Sequence, residues 1–200
     1  MKKYFFLWLL SLAGCSTTTT LQFEKSTGKP NKKGVDFEIT VSNGPSSKFT
    51  KYFSNGLCGL DAEVTITKIY DGTEWDSYSK ILFSNSNDEQ SFAILLHFNN
   101  STGQIQSLIK HSQDDGAESL DKNFDVNQEL TLMVYFDKNE MGIAIEPASK
   151  MKKLVEFKSS GHSENFEFSV VNIGFKPEQV SFYGVSSDTN FKSVNFREGC

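Results

Sequence analysis

The chain has 200 residues, 38% of them hydrophobic, and 20 basic against 25 acidic side chains for a formal charge of −5. That length suffices for one well-buried domain and is short for two. A net acidic chain whose one arginine is Arg197 has no basic stripe with which to neutralise phosphates, so nucleic acid is not an expected partner.

Taken in chain order, Lys2 and Lys3 make a basic start, residues 4–12 are apolar, and Leu12-Ala13-Gly14 supplies small residues before Cys15. The apolar stretch falls well short of the ~20 residues that span ~30 Å of hydrocarbon, so residues 1–14 read as a signal peptide and not a permanent span. The ending Leu12-Ala13-Gly14-Cys15 resembles the lipobox of bacterial lipoproteins. That resemblance implies that the Cys15 sulfur takes a diacylglycerol as a thioether, that the chain is cut before it, and that the new amino terminus is acylated. A thiol is the side chain here nucleophilic enough for the step. One acyl chain binds a bilayer only marginally at ~0.8 kcal/mol per methylene, whereas two or three on one residue hold it stably. Ser16, standing where an Asp favours inner-membrane retention, implies the outer membrane of a bacterial cell envelope by the same resemblance. Loss of the leader leaves 186 residues with 18 basic and 25 acidic groups, near −7.

Residues 15–34 begin with the lipidated cysteine and continue through a Ser/Thr run and Gly28-Lys29-Pro30-Asn31-Lys32-Lys33 without apolar periodicity. Such a composition does not offset its own ordering entropy and is expected to act as a flexible tether. About 20 residues reach at most ~65 Å, or ~25 Å as a coil, enough to clear lipid headgroups. Its lysines either rest on anionic lipid or are simply solvated.

From residue 35 to 200 the chain reads as one domain made of strands. The runs 37–41, 62–69, 78–83, 92–98, 104–109, 130–136, 141–145, 166–173, 180–185 and 191–196 are rich in Phe, Ile, Val and Thr, with clean alternation at Val64 and Ile66 against Thr65 and Thr67. Residues 85–88, 99–103, 137–140 and 186–190 have the chemistry of hairpin loops. Strands at this spacing without a βαβ rhythm predict an all-β, two-sheet antiparallel β-sandwich. With Cys15 committed to lipid, Cys58 and Cys200 are expected to form a disulfide, since paired thiols are the rule in an exported chain. No CxxC or His-Cys cluster suggests a metal instead.

Three pieces, 92–99, 127–145 and 180–196, resemble the concanavalin A-like lectin and glucanase superfamily, the jelly-roll sandwiches that include galectins and laminin G-like modules. The resemblance implies a jelly-roll topology, a terminal strand pair returning beside the first strand, Cys58 near Cys200, and a carbohydrate ligand. His97 and Asn99 fall where galectins hold a galactoside, but Asn100 and Ser101 replace the family's proline and arginine. Glu118 matches a family glutamate, while Ala117 stands where the stacking tryptophan is expected. A galectin-type site is therefore degenerate, and His97 reads more readily as a half-buried strand histidine bonded to a neighbouring backbone group.

Other constellations are sparse. Trp75 and Tyr78, in a polar stretch, form a candidate stacking platform for a sugar or peptide, or cap the end of the sandwich. Glu74-Trp75-Asp76 resembles part of the Glu-x-Asp-x-x-Glu strand of sandwich glucanases, with Ser79 at the final glutamate position; without that carboxylate the two-carboxylate mechanism fails. Asp114, Asp115 and Glu118 put three carboxyl groups close together, a weak calcium pattern without the spacing of a calcium loop. His97, His111 and His162 have no Gly-x-Ser-x-Gly elbow to serve. The expected protein is a lipid-anchored, non-catalytic envelope module that binds glycan, or alternatively an envelope protein, through Trp75, Tyr78, His97, Asn99 and Glu118, without cofactor. A structural envelope lipoprotein and a glycan-cleaving enzyme of the same fold are the remaining alternatives.

Cys15→Ser is expected to abolish lipid attachment and leave uncleaved precursor, because a hydroxyl does not replace the thiolate. Labelled palmitate incorporation checks it: equal labelling of variant and parent contradicts the assignment.

Overall fold

The computed structural model describes residues 34–42, 45–70, 75–111, 116–151 and 168–199, with 45–48 described by backbone alone. The leader, Cys15, most of the tether, Glu74, Asp114, Asp115, His162 and Cys200 lie outside the described residues.

Among those residues there are twelve strands: β1 (Val35–Thr40), β2 (Pro45–Tyr52), β3 (Leu57–Ile69), β4 (Tyr78–Ser84), β5 (Ser91–Asn99), β6 (Gln104–His111), β7 (Glu118–Phe124), β8 (Leu130–Asp137), β9 (Glu140–Pro147), β10 (Ser169–Asn172), β11 (Gln179–Val185) and β12 (Ser187–Glu198). They form two six-stranded sheets, ordered β1-β12-β3-β8-β9-β10 and β2-β11-β4-β5-β6-β7. Every pairing is antiparallel. The protein is thus an all-β, two-sheet sandwich, and its last strand does return beside its first.

Alternation explains which face each strand buries. In β4 the side chains of Ile81 and Phe83 are core, in β5 Phe92, Ile94 and Leu96, in β3 Leu60, Ala62, Val64 and Ile66. Two strands are not evident from sequence, β2 and β7. Both are edge strands of the same sheet, and β7 buries only Phe124 fully. An edge strand with little apolar surface has no periodic signature to read.

The hairpin loop expected at 186–190 is not there. The chain turns at Ser186 alone, in the left-handed region at φ 46°, and Ser187 already begins β12. In that one residue the chain passes from one sheet to the other. Of the polar residues that suggest a loop, Ser186, Ser187 and Thr189 are instead buried and bonded. Ser186 and Ser187 accept backbone bonds from Tyr70 (3.0 Å) and Val41 (3.2 Å). The Ser187 hydroxyl donates to the Tyr78 carbonyl at 3.0 Å, and Thr189 shares a buried hydrogen bond with Ser79 of the facing sheet. Satisfied hydroxyls are tolerated in a core, where unsatisfied ones cost about 1–3 kcal/mol each.

Beside this corner the sheets are clasped by phenylalanines. Phe37 of β1 stacks on Phe49 of β2 (centroids 4.7 Å apart) and on Phe191 of β12 (5.0 Å), while Phe182 of β11 meets Phe37 and Phe191 edge-on at 5.1 and 5.0 Å. Two of these rings come from each sheet. At the opposite side Lys122 of β7 reaches across to Glu146 of β9 (2.5 Å) and to the Ile145 carbonyl (3.1 Å), and Lys150 bonds the other Glu146 oxygen at 2.9 Å. Burial alone pushes the Glu146 carboxyl up, but the bonds from Lys122 and Lys150 outweigh it and hold the group below its ordinary range.

Phe182→Ala removes a fully buried ring from the clasp and is expected to destabilise the domain by about 3–5 kcal/mol. Denaturant unfolding measures it; a loss of under about 1 kcal/mol contradicts a central role for the clasp.

Candidate functional site

The outward face of the sheet β2-β11-β4-β5-β6-β7 carries a groove of about 460 Å³. Its floor is apolar, made by Leu82 of β4, Ala93 and Leu95 of β5, and Leu108 of β6, with Ala117 at the β7 side. Asp76, Tyr78 and His97 line one end, and Lys80, Ser91, Lys110 and His111 complete the walls. Register fixes this arrangement. Tyr78 lies directly opposite His97, Lys80 opposite Leu95, Leu82 opposite Ala93, and Leu95 opposite Leu108. Residues directly opposite across an antiparallel pair project to the same face, so the pattern of β4 to β6 builds the groove floor, and Asp76 and Ala117 join it from the segments just before β4 and β7.

The Tyr78 end is held from below. Its carbonyl accepts the Ser187 hydroxyl at the sheet-switching corner, and the neighbouring Ser77 carbonyl accepts the Phe98 amide at 2.9 Å. Partial burial raises the Tyr78 phenol above its ordinary range, and the Asp76 carboxylate adds to that by opposing a second negative charge. His97 presents Nε2 3.9 Å from Asp76 Oδ2, a charge pair only while the imidazole is protonated. Its Nδ1 is buried and, among the described residues, has no hydrogen-bond partner. Lys80 lies with its ammonium 4.3 Å from the Tyr183 ring centroid, and burial first, then the nearby Lys110, lowers its affinity for the proton.

The candidate residues separate accordingly. Tyr78 and His97 come together in the groove. Trp75 is 52% exposed, just before the groove's end, and does not line it. Asn99 sits two residues beyond His97, and its side-chain oxygen accepts the Ser101 amide (2.9 Å) and hydroxyl (2.6 Å), closing the β5–β6 turn. Glu118 lies opposite Ile109, whose side chain is in the core, so the pleat turns it away from the groove face and leaves Ala117 to line it. Ser79, at the third carboxylate position of the glucanase pattern, points into the core. Asp76 is the one carboxylate among the described lining residues. Asp114 and Asp115 are outside the description, and among the described residues no three His, Cys, Asp or Glu side chains cluster as metal ligands.

Lys80, Leu82, Leu95, Leu108 and Lys110 are groove residues that the sequence reading does not single out. A signal for them exists. Leu82 beside Ile81 and Phe83, and Leu95 between Ile94 and Leu96, break the apolar/polar alternation. An apolar residue on the outward face of a one-sided strand marks a second surface to be covered or used.

No protein family and no curated protein matches the chain by sequence. Solved structures do resemble it in shape. A carbohydrate-binding module from Bacillus subtilis is 9% identical, covering 83% of this chain and 97% of its own, with a TM-score of 0.46. The galectin LEC-6 of Caenorhabditis elegans is 11% identical over 82% of this chain and 96% of its own, with a TM-score of 0.45. A scytalido-glutamic peptidase bound to a transition-state analogue is 9% identical over 80% of this chain and 76% of its own, with a TM-score of 0.47. Such distant similarity to binders and an enzyme alike assigns no activity to this chain.

Asp76→Asn is expected to lower the Tyr78 pKa, since one of two causes raising it disappears, while burial keeps it above the ordinary value near 10. Titrating tyrosine absorbance in parent and variant checks the sign; a rise in the variant contradicts the assigned geometry.

Proposed function

We propose that this chain is a lipid-anchored lipoprotein of the bacterial cell envelope, on the outer membrane, whose sandwich is a non-catalytic glycan-binding module. The observation that supports binding is the groove, where an apolar floor is flanked by hydroxyl, imidazole, ammonium and carboxylate groups. A sugar offers the matching pair of surfaces, apolar C–H faces and hydroxyl edges. Tyr78 supplies both an aromatic face and a donor. Trp75, exposed three residues before Tyr78, extends the platform to a further sugar of the same chain in this reading.

A binding role rather than hydrolysis is supported by the lining. Paired carboxylates about 5–10 Å apart run glycoside hydrolysis, whereas the described groove offers Asp76 with His97 beside it. The leader and lipobox carry the anchoring part of the proposal, with residues 15–34 as tether. A Cys58–Cys200 disulfide belongs to the same reading of an exported chain. The register favours it, since Leu57 pairs with Glu198 and Cys58 is therefore adjacent to the end of β12. A second reading, docking of an envelope protein, is favoured by the half-buried leucines of the floor.

Tyr78→Ala and His97→Ala are each expected to weaken glycan binding tenfold or more, about 1.4 kcal/mol, without unfolding the domain. A glycan array followed by titration calorimetry measures it. Capture of a defined envelope protein that both variants lose, with no glycan bound, moves the function to the second reading.

A further inference from the structure

The groove carries a charge pattern at odds with the rest of the molecule. Acidic groups outnumber basic ones 25 to 20, yet Lys80 and Lys110 both line this one groove. Among the described residues neither ammonium has a carboxylate within ion-pair distance. Of the ion pairs among the described residues, that of Asp76 with His97 lies at the groove's end and the other four lie elsewhere.

Register shows how the two lysines face one space. Lys80 is opposite Leu95 on β4 and β5, and Lys110 is opposite Ala93 on β6 and β5. They therefore stand diagonally across β5, with Leu95 and Ala93 between them on the floor. The two side chains are near enough for Lys110 to disfavour the charge on Lys80. Tyr183 holds the Lys80 ammonium over its ring, so that cation is placed rather than free to swing out.

Resting on the glycan-binding reading above, we infer that the stretch of the groove between Lys80 and Lys110 takes an anionic sugar, one bearing a carboxylate or a sulfate ester. An anion lodged there relieves the repulsion between the lysines and accepts a charge-assisted hydrogen bond from each. The leucine floor lowers the local dielectric and strengthens both contacts. Asp76 confines the charged group to the lysine stretch, because at the Tyr78 end a carboxylate meets another carboxylate. A neutral sugar in the adjoining unit then meets Tyr78 and His97.

The test is affinity electrophoresis of the full chain in detergent through polygalacturonate, carboxyl-reduced polygalacturonate, dextran sulfate and dextran. Retardation by polygalacturonate but not its reduced form assigns a carboxylate, and retardation by dextran sulfate but not dextran assigns a sulfate ester. Lys80→Met removes the charge and keeps an unbranched apolar side chain; it and Lys110→Met are each expected to weaken retention about tenfold, and retention falls as salt rises. A second measurement needs no variant: acetylation of Lys80 and Lys110 is expected to slow severalfold when the retained polymer is present. Equal retention on charged and neutral polymers, untouched by either lysine substitution, overturns the anionic preference and leaves the glycan reading standing. Retention on none of the four, with no glycan bound on the array either, overturns both.

Discussion

The contact on which the rest depends is the one among Phe37, Phe49, Phe182 and Phe191. These rings come from β1, β2, β11 and β12, the strands nearest the point where the chain leaves one sheet and enters the other. Hydrophobic packing alone holds two sheets together without fixing their relative register. Edge-on and stacked aromatic geometry adds a preferred arrangement worth about 0.5–1.5 kcal/mol per pair beyond area. The one-residue crossover at Ser186 makes the arrangement rigid, because β11 and β12 have no slack with which to slide apart.

That rigidity is transmitted to the groove by the serine and threonine side chains of the crossover. Ser187 bonds the Tyr78 carbonyl and Thr189 bonds Ser79, so the two residues at the start of β4 are tied to the opposite sheet. Tyr78 then sets the position of its partner His97 across the strand pair. Side chains held by a packed core, as Tyr78 and His97 are, have little conformational freedom left to lose. Ser186, Ser187 and Thr189, buried at the crossover, thus tie the strand that carries Tyr78 to the facing sheet.

The same residues show where sequence is readable and where it is not. Runs such as 62–69 and 92–98 announce strands because one face must be apolar, and ten of the twelve described strands carry that mark. Edge strand β2 lacks it, as does β7, whose seven residues read Glu-Ser-Leu-Asp-Lys-Asn-Phe. Ser186-Ser187-Asp188-Thr189 looks like a turn because polar residues favour turns; only the facing strands reveal that its hydroxyls have partners. At the site, Tyr78 and His97 are found from sequence because aromatic and imidazole groups attract notice in any strand. Lys80 and Lys110 are not, since a lysine on an outward face is ordinary until the register brings a second one diagonally across β5 from it.

The groove's location on a sheet face constrains what it can recognise. β4, β5 and β6 each have a hydrogen-bonded neighbour on both sides, so their backbone amides and carbonyls are used within the sheet. An extended peptide gains affinity by adding a strand to a free edge, where main-chain groups supply the bonds. On the groove face only side chains are available, with polar tips around an apolar floor. Recognition must therefore come from groups the ligand carries on its own perimeter, hydroxyls and charges spaced a few ångströms apart around an apolar body. A pyranose ring has that distribution intrinsically, whereas a peptide acquires it only through a particular sequence. The proposed saccharide ligand fits a face of this kind, whereas a strand-forming peptide needs a free sheet edge.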